Sequence, residues 1–425
     1  MKKVLKYCLT YLIVFLILLS VFILATSIPK KAIKANLNKT LTYINQQKLH
    51  TNIVKNNYAT RTDLYADIII LNLAASQNNK KPLTSLLASK YYDNHLKSEK
   101  ANLKAITNNN YQPNEEYLRY WHGSISIIKP LLVLFSLQGI QILNYLLIIS
   151  LTIVLLIILY KEYKLLSLIT LLSFLVTYSF FVPLTLEYTW TYIIMLISSI
   201  IAIKLIPQDN SKLYLLFFIT GMVTCFFDFL TTETLTFVLP LTLVTILRYH
   251  NKNLTNQKEE LLFIVKSTLL WGLSYLLMWL TKWLFSAVYL HLDVLKTILY
   301  DAKYRAYGPI AKDMFTQITG ALLKNISCLM PFSFLGKLKE PLCLITIIIL
   351  GSYYFLYRKA QQPLIVKLLF IIGFIPLLRF ILISNHAYIH YFFTYRALLP
   401  SIICTIFIFI YGLDKKLLRK KHGQV

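Results

Sequence analysis

The sequence predicts an all-α protein: a polytopic bundle of about ten transmembrane helices, with a helical extracytoplasmic loop after the first span. Three observations predict it. Hydrophobic residues make up 57% of the 425 positions, and mean hydropathy is +0.59, whereas soluble domains carry roughly 45–50% apolar residues. The excess lies in blocks of about 18–25 residues, the length that carries a helix across a hydrocarbon core of about 30 Å. The 44 Lys+Arg, against 18 Asp+Glu, sit mostly in loops beside those blocks. In lipid every backbone N–H and C=O must pair internally, so the blocks must be helices. A β-barrel would need short alternating segments, which are absent.

The formal net charge of +26 would suggest nucleic acid in a soluble chain. Here no RNA- or DNA-binding motif accompanies the basic residues, which set topology and attract anionic headgroups instead. Membrane lipids are expected partners and nucleic acid is not. Cys8, Cys225, Cys328, Cys343 and Cys404 lack CxxC spacing and mostly fall inside apolar blocks. They read as small buried hydrophobes, with neither a disulfide framework nor a metal site.

Residues 1–27 form the first element, an apolar block from Val4 to Ala25 behind Lys2 and Lys3. Its apolar stretch exceeds the roughly 7–15 residues of a signal peptide core, so an uncleaved anchor is expected. Residues 28–138 form a long polar region with helix-like patches at Asp67–Ala75 and Leu83–Lys104. It ends in Ile125–Phe135, too short to span and interrupted by Lys129 and Pro130, which reads as an interfacial or re-entrant helix. Residues 139–413 hold nine further spans, at 139–160, 165–182, 189–206, 213–230, 233–249, 262–286, 341–357, 364–384 and 395–413. A second outer loop covers 291–339, with a Tyr307-Gly-Pro309 turn, and a basic cytoplasmic tail covers 414–425.

Alternating the spans from a cytoplasmic N-terminus puts Lys161, Lys164, Lys204, Lys212, Arg248, Lys252, Lys258, Arg358, Lys359, Lys367, Lys415, Lys416, Arg419, Lys420 and Lys421 inside. Glu187, Asp228 and Glu233 fall in the short outer turns. That is the distribution the positive-inside rule demands, with both termini cytoplasmic. The Lys, Asn and Ile content fits an AT-rich bacterial genome, hence a bacterial cytoplasmic membrane.

Ionisable groups at membrane depth are costly and usually functional. Those that are not plain cytoplasmic flanks collect on the outer side. In Phe227-Asp-Phe-Leu-Thr-Thr-Glu233, Asp228 either contacts a substrate hydroxyl or a cation, or caps the following helix; Glu233 stands beside it. In Asn385-His-Ala-Tyr-Ile-His-Tyr-Phe-Phe-Thr-Tyr-Arg396, the spacing of His386 and His390 places both on one helical face, but no acid or Cys completes a metal site. His390 and Arg396 suit sugar and phosphate contacts, while the aromatics either stack on sugars or form an interfacial belt. Lys282, beyond Trp271 and Trp279, and Arg379 either bind a lipid phosphate or snorkel to the interface. Arg119 and His122 in Tyr117-Leu-Arg-Tyr-Trp-His-Gly123 are further binding candidates. In the first outer loop, Asp63 and Asp67, or Glu115 and Glu116, could supply a general base; surface solvation is the competing reading. There is no Walker A, GxGxxG, HExxH or GxSxG motif, so no ATP-driven machine is expected in this chain.

One anchor, a large helical outer loop and a bundle with its polar residues on the outer side resemble the GT-C class of membrane glycosyltransferases. Four segments are similar to a family of Firmicutes multi-pass membrane proteins: Tyr65–Ala74, Arg119–Gly123 with Lys129–Leu132, Asp228–Thr232, and His386–Arg396. The resemblance implies a polyprenyl-phosphate-linked sugar as donor, an acceptor outside the membrane and an acidic base in the first outer loop. GT-C enzymes carry that acid soon after the first span, whereas Ser27–Thr62 here contains none. Asp67 is the base by motif match, with Asp63 behind it. Asp228 would orient hydroxyls, and Lys282, His390 and Arg396 would hold the departing phosphate. A divalent cation is left open. A transporter or flippase for a lipid-linked or anionic solute, with charges near the midplane and repeat symmetry, and a non-catalytic scaffold are the competing readings. No internal repeat is evident.

Overall fold

The computed structural model describes residues 2–109, 111–254, 256–291, 294–308 and 313–414. The basic tail from Lys415 onward, with Lys416, Arg419, Lys420 and Lys421, lies outside the described residues. So do Pro309 of the expected turn and the side chains of Lys2 and Lys3.

The described chain is almost wholly helical. In order it runs α1 (Lys2–Thr26), α2 (Lys30–Asn45), β1 (His50–Asn52), β2 (Arg61–Asp63), α3 (Leu64–Ser76), α4 (Pro82–Ala88), β3 (Lys90–Tyr91), α5 (Glu99–Asn108), β4 (Glu115–Glu116), α6 (Ile125–Leu134), α7 (Leu137–Glu162), α8 (Lys164–Val176), α9 (Leu186–Leu205), α10 (Asn210–Phe227), α11 (Leu235–His250), α12 (Gln257–Leu290), α13 (Val294–Tyr307), α14 (Met314–Ile326), α15 (Lys339–Tyr357), α16 (Leu364–Leu382), α17 (Ser384–Ile389), α18 (Tyr391–Thr394) and α19 (Leu399–Gly412).

Among the described residues, eight helices are long and apolar enough to cross a membrane. They coincide with the anchor and seven of the nine further segments. The other two, α8 and α11, are 13 and 16 residues long and fall below that length. α12 has 34 residues, about 51 Å at 1.5 Å per residue, so it outreaches a hydrocarbon core of about 30 Å. Its two faces differ: Ser274, Met278, Lys282 and Ser286 recur at a spacing of four and are buried, while Leu262, Leu269, Leu273, Leu276 and Leu280 are exposed. An apolar stripe turned outward suits lipid rather than water. The buried face packs on α10 so closely that a Cβ on Gly221 would stand 2.3 Å from the Trp271 carbonyl. Glycine is what permits this crossing.

The lysine-rich helix ends meet at one end of the bundle. There Arg248 of α11 reaches Asn210 at the start of α10 and Glu260 in the first turn of α12, at 3.8 Å. Lys359, after α15, donates to the Tyr411 carbonyl near the end of α19 (2.7 Å). The polar region from α2 to α6 covers the opposite end.

That region departs from the expected helical loop in two places. β1 pairs antiparallel with β2, His50 opposite Asp63, and β3 pairs with β4, Lys90 opposite Glu116. The expected helix over Leu83–Lys104 is therefore broken. Ser89 ends α4 in the left-handed region (φ 46°), and α5 restarts only at Ser98, whose hydroxyl caps it. The short helix expected at Ile125–Phe135 is α6; in it Lys129 is fully buried and donates to the Thr26 carbonyl at the end of α1 (3.2 Å). The α6 helix packs on α1 and α2.

Candidate functional site

At the end of the bundle covered by the polar region lies a cavity of about 320 Å³. It is built from both halves of the chain. Asp63, Arg119, His122, His386 and His390, all singled out in the sequence, line it together with Glu116, Glu187 and Arg305. Tyr65, Tyr117, Tyr120, Phe229 and Phe393 supply ring surfaces.

Each polar group arrives on a defined element. Asp63 closes the β1–β2 pair and caps α3, its Oδ1 accepting from the Ala66 N–H (3.1 Å). His50 Nδ1 stands 3.6 Å away. Burial lifts the Asp63 carboxyl above its usual range, opposed by that cap bond and by His50 and Arg61. Arg119 is paired with Asp301 (2.9 Å). Arg305 lies over the Tyr120 ring, 5.5 Å from its centre. His122 takes a left-handed backbone (φ 54°), and its Nε2 lies 3.1 Å from the Tyr117 carbonyl. The next residue must be glycine, because a Cβ on Gly123 would meet the Phe226 side chain at 2.2 Å, where the Gly123 N–H donates to the Phe226 carbonyl.

His386 and His390 do lie on one face, with ring centres 4.6 Å apart. Burial holds the His386 imidazole well below its ordinary pKa, with His390 and Arg305 adding to it. Burial, then Arg305, brings His390 down to about 4, and burial, then Lys282, brings His122 down to about 3. All three are neutral imidazoles at pH 7, each offering one donor and one acceptor. Arg305 Nε and Nη1, and the Nδ1 atoms of His122, His386 and His390, are buried without a hydrogen-bond partner. Buried polar atoms are normally satisfied, and a set left open around one cavity suits a polar, anionic ligand. Among the described residues no three His, Cys, Asp or Glu side chains stand together as a metal site would need.

The remaining candidates do not line this cavity, and each is bound into the frame. Asp67, 1% exposed, accepts from the Leu186 N–H (2.8 Å) and so caps α9, whose own preceding residue, Thr185, supplies no side-chain cap. Asp228 accepts from the Leu230 and Thr231 N–H groups (2.8 and 3.1 Å) and the Thr231 hydroxyl (2.6 Å); these bonds hold the turn itself and do not cap the following helix, α11, whose N-cap residue Thr234 makes no side-chain cap bond. Glu233 and Arg379 form a buried two-pronged pair (2.6 and 3.1 Å), and Arg379 also donates to the Leu230 carbonyl. Lys282 is fully buried rather than snorkelling; it donates to the Leu86 and Leu87 carbonyls at the end of α4 (2.5 and 2.8 Å). Arg396 donates to the Ala59 carbonyl (3.2 Å) between the rings of Tyr188 and Tyr395.

Glu187 and Arg305 were missed as site residues by sequence reasoning. For Glu187 the signal was present: an acid at the mouth of an apolar block. For Arg305 the only signal was one base among several in a mixed-charge loop. Four of the cysteines are buried and Cys8 is exposed; all are free. No family model matches this chain, and no curated protein or solved structure matches it either.

Proposed function

We propose that this chain is an integral-membrane glycosyltransferase of the GT-C kind. It moves a sugar from a polyprenyl-phosphate carrier to a cell-envelope glycan or polymer on the outer side of a bacterial cytoplasmic membrane, with both termini cytoplasmic. The orientation follows from the lysine-rich end being cytoplasmic, which leaves the cavity outside. One observation carries the reading: Asp63 and Glu187 share a single cavity with Arg119, Arg305 and neutral histidines.

Asp63 takes the proton of the acceptor hydroxyl. The hydroxyl oxygen bonds to the anomeric carbon, and the bond from that carbon to the phosphate oxygen breaks, its electron pair leaving with the lipid phosphate. Arg119 and Arg305 meet the negative charge as it develops, the arrangement by which preorganised donors lower a barrier. Burial supports Asp63 as base, because a carboxyl lifted toward the working pH is a stronger proton acceptor. Glu187 and the neutral imidazoles hold sugar hydroxyls. Asp63 thus replaces Asp67 as the proposed base, since both acids cap a helix but only Asp63 lines the cavity.

The test is envelope sugar content in cells carrying only Asp63→Asn or only Glu187→Gln. Loss of one envelope sugar in Asp63→Asn, at wild-type protein level in the membrane, is expected. Wild-type sugar content in both variants would refute the assignment.

A further inference from the structure

A second cleft, about 630 Å³ in volume, lies in the polar region beside the cavity, and nothing in the proposed chemistry uses it. The two are lined by different residues of the same elements. Along α3, Ile69, Ile70 and Leu73 line the cavity, and Ala75 and Ser76 line the cleft. On β3, Tyr91 faces the cavity and Lys90 the cleft. From Ala66 to Ser76 is 10 residues, about 15 Å of helix rise, so the cavity and the cleft lie within the length of a short oligosaccharide of each other.

The chemistry of the cleft is one-sided. Lys30, Lys81 and Lys90 line it, and none of its described lining residues is acidic. Lys90 is held by Glu116 (3.1 Å) on the neighbouring strand, and Lys30 donates to the Ile106 and Asn109 carbonyls (3.0 and 3.2 Å). Lys81 is exposed and caps nothing with its side chain. At the base of the cleft Gln77 is 6% exposed. Its amide nitrogen donates to the Leu73 carbonyl (2.8 Å), while its Oε1 is buried without a partner. That oxygen can only accept, so it asks for a hydroxyl or N–H from a ligand. The lysines ask for an anion.

We infer that this cleft binds the acceptor of the proposed transfer, and that the acceptor is a glycan carrying phosphate or carboxylate groups. The inference rests on the glycosyl-transfer reading for the word acceptor only. A lipid-borne donor enters from the membrane, whereas the cleft belongs to the polar region and leads along α3 to Asp63. Sugar hydroxyls satisfy Gln77 Oε1, and the anionic substituents meet Lys81 and Lys30.

The experiment uses the full chain in phosphatidylcholine nanodiscs, titrated with fluorescent phosphorylated dextran and with neutral dextran of equal length. Phosphorylated dextran is expected to bind at least tenfold tighter than neutral dextran. Lys81→Glu, a change at an exposed side chain, is expected to weaken it at least tenfold. Equal binding of the two dextrans, or wild-type binding by Lys81→Glu, overturns the inference. So does loss of dextran binding in nanodiscs containing phosphatidylglycerol, which would assign the cleft to a lipid headgroup. If Asp63→Asn and Glu187→Gln both keep wild-type envelope sugars while the dextran results hold, the transfer reading falls and the anionic-glycan cleft stands.

Discussion

Lys282→Met separates two roles that the sequence left open. In the structure Lys282 Nζ closes the end of α4 by donating to the Leu86 and Leu87 carbonyls, with the Ser89 hydroxyl 3.4 Å away. Methionine is near in length, so the change leaves little void. The Leu86 carbonyl keeps the Ser89 hydroxyl as donor (3.0 Å) and the Leu87 carbonyl keeps the Ser286 hydroxyl (3.1 Å), so the change removes two charge-assisted bonds, about 1.5–3 kcal/mol each, without leaving either carbonyl bare. Against that total of about 3–6 kcal/mol stands the desolvation of a buried ammonium, several kcal/mol, which the variant recovers. The two nearly cancel, and global stability changes by less than about 2 kcal/mol, while the loosening is concentrated where α4 meets α12. Hydrogen exchange by mass spectrometry on the purified protein should show faster exchange across Pro82–Ser89, with the thermal midpoint little changed. Unchanged exchange there, together with lost transfer activity, would mean that Lys282 serves the substrate and that the anchoring argument is wrong.

Three further outcomes are expected. Gly123→Ala forces a Cβ to within 2.4 Å of the Phe226 carbonyl, where overpacking costs about 1–3 kcal/mol; a fall in detergent-solubilised thermal midpoint checks it. Acid should destabilise the fold through His122. Its folded pKa of about 3 lies below the ordinary value of about 6.5, so its contribution is full above about 6.5 and is lost as pH falls toward 3. Thermal midpoints measured across that window should drop, and His122→Asn, which suits the left-handed backbone, should flatten the curve. Asp67→Asn should keep envelope sugars at wild-type level, because the amide oxygen still accepts from the Leu186 N–H. Activity lost there, with the fold intact by hydrogen exchange, would restore Asp67 as the base.

The spans were legible because lipid imposes one rule on backbone hydrogen bonds, and the apolar blocks obey it: α1, α7, α10 and α16 fall close to where hydropathy placed them. The single face shared by His386 and His390 was legible from spacing alone. Long-range partners were not. Nothing local says that Asp67 will meet Leu186 across 119 positions, or that Lys282 will meet Leu86 across 196. The break at Ser89 escaped because hydrophobic periodicity runs on through it, and the β1–β2 and β3–β4 pairs are too short for an alternation to register.

The costs of burying charge explain why Asp67, Asp228, Lys282, Arg379 and Arg396 are anchors rather than cavity groups. A charge held at the end of an apolar bundle is tolerable only when it is bonded, and each of these makes at least one bond to backbone or to an opposite charge. They in turn decide where the cavity groups stand. Asp67 fixes the first turn of α9 and so presents Glu187. The Glu233–Arg379 pair and Asp228 fix the turn that carries Phe229, and Arg396 pins Ala59 two residues before Arg61 and the strand ending in Asp63. Of the groups lining the cavity, Arg305 and the three histidines carry buried atoms with unmet hydrogen bonds, and these are the ones a substrate can reach. An acid's value to the chemistry here is therefore read from whether it faces the cavity, which places Asp63 and Glu187 ahead of the better-buried Asp67.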